Sequence, residues 1–98
     1  MESRVDDAYN AIKCADLDRF IKNQNRLPKI HLLVLDMATK NFDITSIKYL
    51  YDTMVFKQTE IQSTINWVIQ LNKNTNKDDV NFDKIQTTAE YFIKFYNI

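Results

Sequence analysis

Along this chain apolar residues return every three or four positions, the spacing of one face of an α-helix. Val5, Ala8, Tyr9 and Ile12 mark the first stretch, residues 2–14. Leu17, Phe20 and Ile21 mark a short second piece, "LDRFIKNQ", for which Asp16 or Asp18 supplies an N-cap. Pro28 ends that piece and suits the opening turn of the next helix. There, in "KIHLLVLDMATKN", Ile30, Leu32, Leu33, Leu35 and Met37 leave almost no polar face, the pattern of a central, buried helix. Asp43 caps "ITSIKYLYDTMVFK", whose stripe is Ile44, Ile47, Leu50, Tyr51 and Met54. Thr59 caps "EIQSTINWVIQLNK", with Ile61, Ile65, Val68 and Leu71 inward. After the polar run "NKNTNKDD", Asp79 or Asn81 caps the last helix, where Phe82, Ile85, Ala89, Phe92, Ile93 and Tyr96 share a face. The expectation is an all-α chain of five main helices, the first of which can break in two.

Composition sharpens this picture. Glycine is absent and proline occurs once, so sheets, tight turns and glycine-stopped helices are disfavoured. Turns fall to Asn, Asp, Thr and Lys. "AIKCADLDRFI" and "DMATKNFDITSIKYL" are similar to ankyrin helices, but the glycine turn that repeat requires is missing, so no internal repeat is assigned. With 98 residues, the chain (1–98) is expected to be a single helical domain with its own core. Thirteen basic and thirteen acidic residues cancel, which argues against a general nucleic-acid or anionic-membrane binder while leaving room for a local patch. The single cysteine, Cys14, permits no intrachain disulfide and fits a reducing compartment. The charged start and the lack of a long apolar run give neither a signal peptide nor a membrane span.

Candidate chemistry is sparse. A phosphate loop needs glycines for close backbone approach, and a zinc site needs about four Cys, His or carboxylate ligands, which one Cys and one His do not make. Cys14 with His31 is the one pairing for nucleophilic catalysis, yet His31 lies in an apolar run where a packed histidine is the commoner use. Asp6/Asp7, Asp16/Asp18 and Asp78/Asp79 read as capping and first-turn acids. No enzyme activity and no cofactor are expected. Twelve aromatic residues are more than a small core needs. "EYFIKFYNI" alone places six large apolar residues in one helix end, more than one face can bury, so some are expected to meet a partner.

The two ends of the chain carry a resemblance. "ESRVDDAYNAIK" (2–13) resembles the first helix of the integrase-binding domain of lens epithelium-derived growth factor and of hepatoma-derived growth factor-related proteins. "KIQTTAEYFIKFYNI" (84–98), with Lys94-Phe95, is similar to the last helix of that domain. "LLVLDMATKNFDIT" (32–45) resembles its aliphatic Leu-Asp helix, and "STINWVIQLNKN" (63–74) sits where the family has a short helix with a basic-aromatic tip. The wider relative is the N-terminal helical domain of transcription elongation factor TFIIS. The resemblance spans nearly the whole chain, at mostly core positions.

What the resemblance implies is a right-handed bundle of five helices without enzymatic activity. Such a module acts in chromatin and transcription elongation, in the nucleus; without the resemblance a cytoplasmic setting is expected. It docks disordered, acidic, Phe-containing peptide motifs between two interhelix loops, with no nucleic acid, membrane or small-molecule substrate. The first loop carries over as Leu17-Asp18 or, in another register, Asn23-Gln24. The second carries over as Gln70, Leu71 and Lys73, with Trp67 nearby and Leu71 as the apolar knob. The family's basic pair is missing, because Ile69 and Gln70 stand there, and "DRFIKNQNRLP" and "NKNTNKDDV" are longer than the family's segments. The alternative expectation is another all-α interaction protein, of viral host-interaction type, dimeric through its aromatic last helix.

Overall fold

Three polar side chains start helices here by the same means. A Ser or Asp ahead of a helix accepts a hydrogen bond from a backbone N–H that the first turn leaves unpaired. Ser3 Oγ accepts from Asp6 N at 3.1 Å and opens α1 (Arg4–Lys13). Asp16 Oδ1 accepts from Arg19 N at 3.1 Å and opens α2 (Leu17–Arg26). Asp43 Oδ1 accepts from Ser46 N at 3.2 Å and opens α4 (Ile44–Thr53). The remaining elements are α3 (Ile30–Lys40), α5 (Gln58–Asn74) and α6 (Phe82–Tyr96). These come from a computed structural model, which describes residues 3–96. The described residues are all-helical, with six helices and no strand.

The N-terminal stretch is therefore two helices, and its break has a definite geometry. Ala15 takes φ 55°, the left-handed conformation. Ala15 N donates to Ile12 O at 3.0 Å and Asp16 N to Ala11 O at 2.8 Å. That pair of bonds is the Schellman closure of a helix C-terminus. The connection from α3 to α4 repeats it: Phe42 takes φ 52°, Phe42 N donates to Thr39 O at 3.0 Å, and Asp43 N donates to Ala38 O at 2.9 Å. A recurrence that the sequence pattern left unassigned is thus present in the backbone. In both places the residue closing one helix is the Asp that caps the next.

The chain divides into two compact units between Val55 and Phe56. In the first unit, α1 packs on α2, α3 and α4, and α3 packs on α2 and α4 as well. Ala8, Ala11, Phe20, Val34, Leu35, Ala38, Ile47 and Leu50 are buried there. The face of α3 is narrower than its composition suggests, because Leu33 is 46 % exposed and Leu32 and Met37 are half-buried. Ile21 of α2 is likewise exposed. In the second unit α5 packs on α6, burying Ile61, Ile65 and Val68 against a stripe of Ile85, Ala89 and Phe92. Tyr96 Oη donates to Phe56 O at 3.4 Å and holds the end of α6 to the start of the unit. Three boundaries move. Pro28 lies in the turn before α3. Helix α4 ends at Thr53 instead of running to Lys57, and Lys57 rather than Thr59 precedes α5.

One polar contact ties the far ends of the first unit together. Asp43 Oδ2 accepts from Tyr9 Oη at 2.8 Å and from Ser46 Oγ at 2.7 Å. Burial pushes the Tyr9 phenol up to about 12, with the hydrogen bond to Asp43 and that carboxylate's charge acting the same way. Burial of Asp43 raises its carboxyl, but the bonds from Ser46 and Tyr9 outweigh it, leaving the group below the usual carboxylate value.

These features predict three stability changes. Ala15→Gly removes a left-handed Cβ at an exposed position and is expected to stabilise the chain by about 0.5–1 kcal/mol; urea melts check it, and an unchanged or lowered midpoint contradicts the strain. Asp43→Ala loses a cap and an interhelix bond and is expected to cost about 2–3 kcal/mol, against about 1 for Asp16→Ala, which loses only a cap. Tyr9 has a raised folded pKa, so its contribution is complete below the unfolded value near 10 and is lost as pH rises from there toward about 12. Tyr9→Phe is expected to flatten stability across that alkaline window, as read by denaturant melts at a series of pH values.

Candidate functional site

Helix α5 is the longest helix among the described residues, and its last turns carry the site. Asn and Lys do not break a helix as glycine does, so α5 runs through Asn72 and Lys73, as the spacing predicts, and on to Asn74. Thr75 stops it in extended conformation, with Thr75 Oγ1 donating to Leu71 O at 2.6 Å. The core stripe Ile61–Ile65–Val68 covers one side of α5. The other side of its last turns lines an open groove of about 670 Å³, formed by Asn66, Trp67, Ile69, Gln70, Leu71, Lys73 and Asn74.

The groove mixes three kinds of side chain. Trp67, 36 % exposed, and Leu71, one turn on, supply an apolar edge, and Ile69 stands at the opposite edge. Asn66, Gln70 and Asn74 supply amides able to donate to and accept from a peptide backbone. Asn66 Oδ1 already accepts from Gln62 Nε2 at 2.7 Å, which orients it along the helix. Lys73 is the charged residue among the described residues that line the groove. This arrangement can seat a large apolar side chain, hold a backbone and face a carboxylate. Its described lining residues include no nucleophile and no acid–base pair. Among the described residues no three His, Cys, Asp or Glu side chains gather to hold a metal. Cys14 is exposed between α1 and α2, and His31 stands on the first turn of α3 with Nδ1 3.4 Å from Gln24 Nε2.

The residues expected at a docking edge fall into two groups. Trp67, Gln70, Leu71 and Lys73 come together along the groove. They lie within α5, as the apolar spacing over 60–73 predicts, and not on the interhelix loop that the resemblance implies. Ile69, at a position the resemblance matches to the family's basic pair, joins them, and Asn66 and Asn74 share the groove without having been expected there. Their signal is helical spacing, one turn either side of Gln70.

Leu17, Asp18, Asn23 and Gln24 all stand on α2, the helix that the apolar spacing predicts, and not on the loop that the resemblance implies. Leu17 is half-buried and Asp18 exposed at its first turn. Asn23 is buried and fully engaged. Its Nδ2 donates to Asp7 Oδ2 at 2.7 Å and to Arg19 O at 3.1 Å, and its Oδ1 faces Arg4 Nη1 at 3.5 Å. Arg19 Nε donates to Asp7 Oδ1 at 3.0 Å, joined by Nη2. Hydrogen bonds from Arg19 and then Asn23 hold the Asp7 carboxyl below its usual value. Asn23 thus joins α1 to α2 and has no free amide to offer a partner.

A surface role and a structural role predict different mutants. Asn23→Ala removes a buried amide and its bonds to Asp7 and to Arg19 O, and is expected to lower the midpoint of denaturant melts. Asp18→Ala and Gln24→Ala are expected to stay within about 0.5 kcal/mol. Equal effects from all three would remove the assignment of Asn23 to the interhelix joint.

No family model, no curated protein and no solved structure matches the chain.

Proposed function

We propose that this chain is a non-enzymatic protein–protein interaction module that docks short disordered peptide motifs along the α5 groove. The observation that carries the reading is the open outer face of the last turns of α5: Trp67 and Leu71 give it an apolar edge, Asn66, Gln70 and Asn74 its amides, and Lys73 a cation. That set suits a peptide with an aromatic anchor and an acid near it. An aromatic in a partly desolvated pocket supplies the larger share of binding energy, and the cation supplies orientation. A disordered partner gives up its ordering entropy on docking, so exchangeable affinity is expected. The resemblance of residues 2–13, 32–45 and 84–98 to the integrase-binding domain extends the proposal. It adds a TFIIS N-terminal-domain-like bundle, partners from chromatin or transcription-elongation factors, and a nuclear setting. Leu17 and Asp18, accessible at the start of α2, are the remaining candidates for that family's first contact.

A second reading has its own support. On α6, Tyr91 and Phe95 stack with ring centroids 4.8 Å apart, and Phe95 is 50 % and Ile93 39 % exposed. These residues suit pairing of two copies through the last helix.

Titration of labelled protein with acidic, Phe-containing peptides tests the first reading. Amide shifts are expected at residues 66–74 and around Leu17 and Asp18, and Trp67→Ala is expected to weaken binding on the order of tenfold or more. Shifts confined to residues 90–96, with a dimer in sedimentation, favour the second reading and sink the first.

A further inference from the structure

The charges of the whole chain cancel, but they are not evenly spread. Residues 19–35 contain Arg19, Lys22, Arg26 and Lys29 and no Asp or Glu. Arg19 is engaged by Asp7. Lys22, Arg26 and Lys29 are exposed, and residues 25–29, "NRLPK", are exposed without interruption from the end of α2 into the turn before α3. Leu27, 36 % exposed, stands between Arg26 and Lys29, and Ile21, 40 % exposed, adjoins Lys22. On α2, Asp18, Ile21, Lys22 and Asn25 lie opposite the inward Phe20 and Asn23, with Arg26 beside them; Asp18 stands a turn before Lys22, and the tip itself, residues 25–29, holds no acid.

Local stability does not account for this pattern. Arg26 in the last turn of α2 suits the helix dipole, but Lys29 precedes α3, where the dipole favours an anion. Lys29 makes no side-chain cap bond, and the first turn of α3 has no acid. A single exposed leucine is ordinary. Apolar side chains exposed within an acid-free, cation-rich turn are the signature of a surface that meets negative charge and apolar matter together.

We propose that the α2–α3 tip, through Lys22, Arg26, Leu27 and Lys29 with Ile21 behind them, rests on an anionic membrane surface. The cations sit among the lipid headgroups and Leu27 reaches the boundary with the acyl chains. Two arguments favour this occupant. Five consecutive residues at a helix turn are exposed, whereas peptide ligands are held in grooves or on strand edges. A nucleic-acid backbone engages the cations and leaves Leu27 and Ile21 unused. This face shares no residue with the α5 groove, and its test stands apart from peptide docking.

Co-sedimentation of the full chain with vesicles decides it. Binding is expected to vesicles of phosphatidylcholine mixed with phosphatidylserine, not to phosphatidylcholine alone, and to weaken with added salt. Neutralising Lys22, Arg26 and Lys29 to Gln is expected to weaken binding roughly fivefold per residue. Leu27→Ser is expected to weaken it without altering its salt dependence. All four positions are exposed, and circular dichroism confirms that each variant is folded; Arg26→Gln with Lys29→Gln serves if the triple variant is not. Failure to bind the mixed vesicles, equal binding to both kinds, or undiminished binding by folded variants overturns the proposal. So does stronger binding to polyglutamate or duplex DNA than to the mixed vesicles.

Discussion

A chain without glycine has to leave each helix by some other route, and much of this structure follows from that constraint. Closing a helix with a Schellman pair requires a left-handed residue, which costs an L-amino acid about 1–2 kcal/mol and glycine almost nothing. Ala15 and Phe42 accept that conformation. The strain persists because the next residue offsets it. Asp16 and Asp43 donate their backbone N–H to close one helix and use their side chains to open the following one. Three-residue connections result, and they bring α2 back on α1 and α4 back on α3.

Short connections place polar side chains where they must be answered inside the fold. Asp43 is a cap, but it also accepts from Tyr9 across the unit, so the start of α4 is positioned against α1. Asp7, Arg19 and Asn23 do the same between α1 and α2. Breaking such a set leaves a charge without its donors, which costs more than the net gain of making it. Polar residues on these helices are therefore not all surface. Asn23 looks like a candidate contact in the sequence and is a structural joint in the fold.

The second unit uses its polar residues differently. Between Leu71 and Val80 nothing forbids helix, so α5 takes up Asn72, Lys73 and Asn74 before Thr75 turns the chain away. That added turn carries Lys73 and Asn74 alongside Asn66 and Gln70. A tryptophan at the edge of a core stripe becomes one wall of a groove.

Much was legible from the residues themselves. The all-α class follows from apolar spacing and the missing glycine, and the Asp16 and Asp43 caps from short acceptors ahead of apolar stripes. So do the inward positions Ala8, Ile12, Phe20, Ile47, Leu50, Ile61, Ile65, Val68, Ile85 and Phe92. All of these depend on interactions within a turn or two of chain. Three-dimensional packing decided the rest. It exposed Leu33, Ile21 and Ile93, because a helix buries only the face its neighbours cover, and it buried Asn23, because Asp7 of another helix supplied the partner. It also carried α5 past Lys73 to Asn74. Periodicity marks where an apolar face lies, but which polar residues remain available to a partner is settled only by side chains from distant parts of the sequence.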